Sequence, residues 1–155
     1  MREGRGVFGL SGACEVVVAD GKRTRELFRL ADPGQSITVE VEVDEVGVGG
    51  RECFRSAHLV LESGCVSGRL SLVLSFEDLR DWAHCLDALQ FEERIAWPKG
   101  DRTAWLEVHP ADPLVVTVYD APATQVAVRM PVDIPEECWE ENRLRWEEVR
   151  RLLGL

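Results

Sequence analysis

No apolar run in the 155-residue chain approaches the roughly 18 residues that crossing a bilayer as a helix requires, so no membrane span is expected. The start "MREGRGVFGLSGACEVVV" has no continuous hydrophobic core of a leader, because Gly4, Gly6, Gly9, Ser11 and Gly12 interrupt it; a cytoplasmic protein is expected. The five cysteines (Cys14, Cys53, Cys65, Cys85 and Cys138) include no C-x-x-C pair, and their odd number and wide spacing suit reduced, mostly buried thiols rather than a disulfide framework. The three histidines (His58, His84 and His109) are isolated and have no ligand partner at zinc-site spacing, so neither a metal nor a cofactor is expected. Basic residues are also in deficit: 18 Lys and Arg against 28 Asp and Glu leave a net charge of -10. Phosphate contacts need a positive field, so a nucleic-acid partner is not expected and a basic protein partner is favoured.

What remains is a composition, 45% hydrophobic and 30% charged, typical of one soluble globular domain. Residues 1–25 hold many glycines and basic residues around "CEVVVA" and read as an extension with at most one strand; residues 26–155 read as a single domain. "ELFRLAD" predicts a strand closed by the turn Asp32-Pro33-Gly34, and "SITVEVEV" a second strand by its strict alternation, ending in the glycines 47, 49 and 50. "AHLVLES" and "VSGRLSLVLS" predict a hairpin hinged at Ser63-Gly64.

Ser75 with Asp78 three residues on resembles a capping box, and Phe76, Leu79, Trp82, Ala83, Leu86 and Leu89 recur on one helical face. Strands are then expected at "RIAW", "TAWLEVH", "LVVTVYD" and "QVAVRMPV", and a last helix from Pro135, with early acids, late bases and a stripe of Trp139, Trp146, Val149 and Leu153. Short links favour antiparallel neighbours. The layout predicts an α+β domain: a mostly antiparallel sheet with two helices packed on one face, a two-layer sandwich in which each half, strands then helix, hints at a loose duplication.

The order and spacing of "LFRLAD", "FEDLRDWAHCLDAL", "IAW", "VTVYD" and "VAVRMPVDIPEECWEENRLRWEEVR" resemble a family of small proteins of unknown function from high-GC Gram-positive bacteria such as Streptomyces. The resemblance spans roughly residues 26–151 and carries no catalytic residues with it. Two departures stand out: "QFEERIAW" has no glycine where the family has one between the first helix and the Trp, and some 25 residues precede the first family strand. The layout is also similar to immunity proteins paired with polymorphic toxins, which implies an immunity or inhibitor role by fold analogy alone.

Chemical signatures are sparse. Asp81, His84 and Cys85 are the nearest thing to a nucleophile with its base, but adjacent helical positions point about 100° apart, and Asp81 with His84 reads as a surface ion pair. "VGVGGRE" joins two strands and lacks the following helix and Lys of a phosphate loop. The acidic strand is more informative. Glu40, Glu42 and Asp44 stand about 7 Å apart on one side, where their fields add.

If the helices cover the opposite side of the sheet, strand parity adds Glu62, Trp105, Glu107 and Tyr119 to that open face, together with His109, Thr117 and Arg129. Tyr and Trp beside carboxylates make a protein-binding surface. The expected function is therefore a non-enzymatic acidic binding protein, an inhibitor or immunity-type partner of a basic protein, with Glu40, Glu42, Asp44, Glu62, Trp105, Glu107 and Tyr119 as its contact residues. The alternatives are a small enzyme with Cys85 or Cys65 as nucleophile, and a homo-oligomer built through an exposed sheet edge.

Overall fold

The structure is a computed structural model that describes residues 23–43, 54–100, 102–121 and 123–155. Eight strands and two helices run in the order β1 (Arg23–Asp32), β2 (Gln35–Val43), β3 (Phe54–Glu62), β4 (Ser67–Ser75), α1 (Phe76–Gln90), β5 (Ile95–Trp97), β6 (Trp105–His109), β7 (Leu114–Tyr119), β8 (Ala127–Val132) and α2 (Cys138–Leu153). The α+β class and antiparallel pairing expected from the sequence hold, but the strands form two four-stranded sheets, β1-β2-β3-β4 and β5-β6-β7-β8, rather than one. Each half is thus four strands followed by a helix, which gives the hint of duplication a topological form.

Local chemistry explains the elements. The Asp32 carboxylate accepts from the backbone N–H groups of Gly34 (2.8 Å) and Gln35 (3.0 Å), which builds the β1–β2 turn, and its other oxygen accepts from Asp133 N at 3.1 Å. These bonds hold its pKa below the ordinary aspartate value, the Gly34 bond contributing most. Ser63 Oγ accepts from Cys65 N and Val66 N and closes the β3–β4 hairpin where Ser63-Gly64 predicted it.

Ser75 caps α1 in a full capping box with Asp78, and Asp78 also binds Arg102 through its carboxylate and Trp97 Nε1 through its backbone oxygen. The start of α1 is thereby tied to β5 and to the chain before β6. The last helix begins three residues later than Pro135 predicted, since residues 135–137 form a turn closed by Cys138 N to Pro135 O.

One core joins the inner faces of both sheets and the buried sides of both helices. At its centre Phe28 of β1 stacks on Trp82 of α1 (centroids 4.1 Å apart), and Trp97 of β5 packs against both at 5.9 and 5.1 Å. Full burial of each such ring contributes on the order of 2–3 kcal/mol.

Side chains from the other half occupy both edges of the first sheet. Asn142 of α2 binds the outward backbone groups of Arg29 on β1, and Thr103 Oγ1 accepts from Val73 N on β4 at 3.3 Å. These two plugs occupy backbone groups that a further strand would otherwise pair with.

Candidate functional site

Strand parity is read directly from the registers. Glu40 of β2 lies opposite His58 of β3, Ser36 opposite Glu62, and Val60 opposite Arg69 of β4, so Glu40, Glu42 and Glu62 share the outward face of the first sheet while Ile37, Val39 and Val41 face the core. On the second sheet Trp105 lies opposite Tyr119, Glu107 opposite Thr117 and Thr117 opposite Arg129, so Trp105, Glu107, His109, Thr117, Tyr119 and Arg129 also share an outward face. Leu106, Val108, Val116 and Val118 point inward. The alternation of buried and accessible residues that β-branched strands need against a one-sided core sets both faces.

The contact residues expected from the sequence therefore come together as two groups on two sheets, not as one row. Asp44 and the glycine segment "VGVGGRE" lie outside the described residues. Nor is the first group a line of free carboxylates. The Glu40 side chain is only 15% exposed and meets Arg69 at 3.1 Å, and Glu42 is half-buried. Glu62 stands four residues along the ladder from the level of Glu40, about 13 Å at strand rise. His58, between Glu40 and Ser71 on the neighbouring strands, is pushed to a lower pKa by burial and then by Arg69, with Glu42 and Glu40 pulling the other way. Sequence spacing gives no sign of this acid, imidazole and guanidinium cluster, because it forms across three strands.

The second group is better ordered. Trp105 and Tyr119 stack with centroids 4.1 Å apart and 14° between their planes. Glu107 accepts from Arg94 and, at 3.4 Å, from the Tyr119 hydroxyl. Beside them a shallow groove of about 250 Å³ runs between Arg94, Glu107, His109, Thr117 and Arg129. A hydrophobic pair with a polar tip, flanked by groups of both signs, suits a protein contact.

The cysteine readings meet a physical obstacle at Cys85. Its thiol is buried and its pKa is pushed up to about 12, first by burial and then by the Asp81 charge, so at neutral pH it holds its proton. Asp81 is engaged by Lys99, with Nζ 3.2 Å from Oδ1, in place of the expected pairing with His84. Cys65 is exposed in the β3–β4 turn, 3.7 Å from Ser63 Oγ. Among the described residues no group of three or more His, Cys, Asp or Glu is placed to hold a metal ion, and no helix is long and apolar enough to cross a membrane.

Residues 25–154 match the model of one family, described as "Family of unknown function (DUF5959)". No curated protein and no solved structure matches the chain.

Proposed function

We propose that this chain, which belongs to the DUF5959 family, is a non-catalytic binding module that engages a basic protein partner as an immunity or inhibitor protein does. The observation behind this reading is the outward face of the second sheet, where the stacked Trp105 and Tyr119 lie beside Glu107 and within reach of solvent. Rings held this way give contact area at little cost in ordering. The excess of 28 acids over 18 bases supplies long-range attraction for a basic protein, to which Glu40, Glu42 and Glu62 on the first sheet contribute. The resemblance in segment order supports a role of this kind in a high-GC Gram-positive cell, and the cytoplasm is the compartment proposed for it.

Self-association through strand edges is less favoured, because Asn142 and Thr103 occupy backbone groups on both edge strands of the first sheet, and Pro131 removes a donor from β8. The test is capture from host lysate at low and high salt, read by mass spectrometry, with the tagged wild type beside a Trp105→Ala, Tyr119→Ala double variant. The reading requires a basic protein that is recovered at low salt, weakened at high salt and lost with the double variant. Equal recovery by wild type and variant would overturn it.

A further inference from the structure

Three connections meet around an open cleft of about 340 Å³: the turn after α1, the β6–β7 loop and the segment leading into α2. Its size is at the low end of ligand pockets, about 300–1,000 Å³. The apolar part is Leu89 and Leu114, both buried, with the half-buried Ile134 and Trp139. Two exposed acids, Glu92 and Asp112, also line it, and no Lys or Arg does. Among the described residues neither carboxylate has a hydrogen-bonded or ion-pair partner in the chain.

Those features select one chemistry. An anion would meet two like charges, and a neutral apolar group would draw nothing from the two hydrated carboxylates. A long aliphatic cation satisfies both halves, with its methylenes against Leu89, Leu114 and Ile134 and its charged head beside the carboxylates, where the Trp139 ring adds a cation–π contact. The next residue back along the chain from Glu92, Phe91, is 79% exposed, an apolar ring beside this mouth in sequence and open to contact.

We infer that this cleft is an anchor pocket for one Lys or Arg side chain of the basic partner. The inference rests on the binding-module reading above and specifies where a basic side chain is received. The second sheet's outward face then provides the broad contact, and the open cleft a single localised one.

The probes are N-acetyl-lysine methylamide and N-acetyl-arginine methylamide, with N-acetyl-norleucine methylamide as the uncharged isostere. Each is titrated into the full 15N-labelled chain while the five indole N–H signals are followed, Trp139 being assigned by its loss in Trp139→Phe. The pocket requires a saturable shift of the Trp139 signal by the lysine and arginine probes, at least about tenfold weaker binding of norleucine, and a loss of similar size in Glu92→Gln with Asp112→Asn. Equal binding of norleucine, an unmoved Trp139, or full binding by the double variant would overturn it. Capture of a basic protein with no Trp139 response would remove the pocket and leave the module; a Trp139 response with no captured protein would do the reverse.

Discussion

Asn142 of α2 stands in for a missing neighbour strand at Arg29 of β1: its Oδ1 accepts from Arg29 N at 2.7 Å and its Nδ2 donates to Arg29 O at 2.9 Å. The side chain is 0% exposed; Arg29 N depends on it, and among the described residues Arg29 O otherwise meets only the weak Cys138 thiol donor at 3.6 Å. Asn142→Ala leaves the Arg29 N–H without a partner, at about 1–3 kcal/mol, and leaves Arg29 O with the weak Cys138 thiol as its donor. The expected loss of unfolding free energy is about 2–4 kcal/mol in urea denaturation, with the m-value unchanged. Asn142→Asp should also destabilise, since a carboxylate accepts from Arg29 N but repels Arg29 O. A loss under about 0.5 kcal/mol for both variants would show that water replaces the amide at this edge.

Glu92 offers the opposite prediction. It takes φ 59° at the end of α1, where Glu93 N bonds Ala88 O (2.9 Å) and Glu92 N bonds Leu89 O (3.1 Å), a Schellman closure whose left-handed position favours glycine. Glu92→Gly relieves roughly 1–2 kcal/mol of left-handed strain against the added freedom of glycine in the unfolded chain. A net gain of about 0.5–1 kcal/mol is expected in the same denaturation assay. The variant also removes one carboxylate from the cleft, so it separates stability from cation binding. A measured loss of stability would mean that the Glu92 side chain makes a contact that holds the turn.

These two residues also show what the sequence discloses. The alternation in "SITVEVEV", the Asp32-Pro33-Gly34 turn and the Ser75–Asp78 cap predicted β2, the hairpin and α1, because each is decided by neighbours in the chain. Parity likewise brought Trp105 and Tyr119 to one outward face. The division into two sheets was hidden, because the contacts at the edges of the first sheet, Asn142 to Arg29 across 113 positions and Thr103 to Val73 across 30, are far apart in the chain. The segment "QFEERIAW", which lacks the family's glycine, contains the turn where Glu92 takes φ 59°, but only the structure shows that Glu92 lines a cleft with Asp112. The Glu40 to Arg69 pairing skips a strand in the ladder order, so no spacing along the chain announces it.

Thiol chemistry gives a pH prediction. Burial first, and the Asp81 charge second, raise Cys85 to about 12, and burial raises Cys138 to about 11, both above the ordinary thiol value of 9.0. The folded state holds these protons after the unfolded chain has released them. Their stabilising contribution is therefore complete below pH 9.0 and is lost as pH rises through 9.0 towards 11 and 12. The urea midpoint should fall between pH 8.5 and 10.5, and fall less steeply in Cys85→Ala, whose neutral side chain cannot titrate. In the native state at neutral pH, iodoacetamide should label Cys65 well ahead of Cys85 and Cys138; equal labelling would mean that the core opens on the labelling timescale.

The outward acids make a kinetic prediction distinct from that of the rings. In the pairing of Glu40 with Arg69 the carboxylate is only 15% exposed but the Arg69 side chain is 47% exposed and can turn to water, so replacement of Glu40 by the isosteric Gln should cost no more than about 1–2 kcal/mol and leave the fold intact. A Glu40→Gln, Glu62→Gln variant should associate several-fold more slowly with the captured basic protein at low ionic strength. The difference should vanish near 0.5 M salt, where the screening length falls to about 4 Å. Dissociation should change little, because steering acts before contact. Trp105→Ala should behave the other way, with a faster dissociation rate at every salt concentration, because the stacked pair acts only after docking. Stopped-flow association with both variants, alongside their melting curves, separates the two roles. An unchanged association rate in the Gln variant would place the attraction elsewhere on the acidic surface, and a Trp105→Ala complex as long-lived as the wild type would remove the second sheet's outward face from the interface.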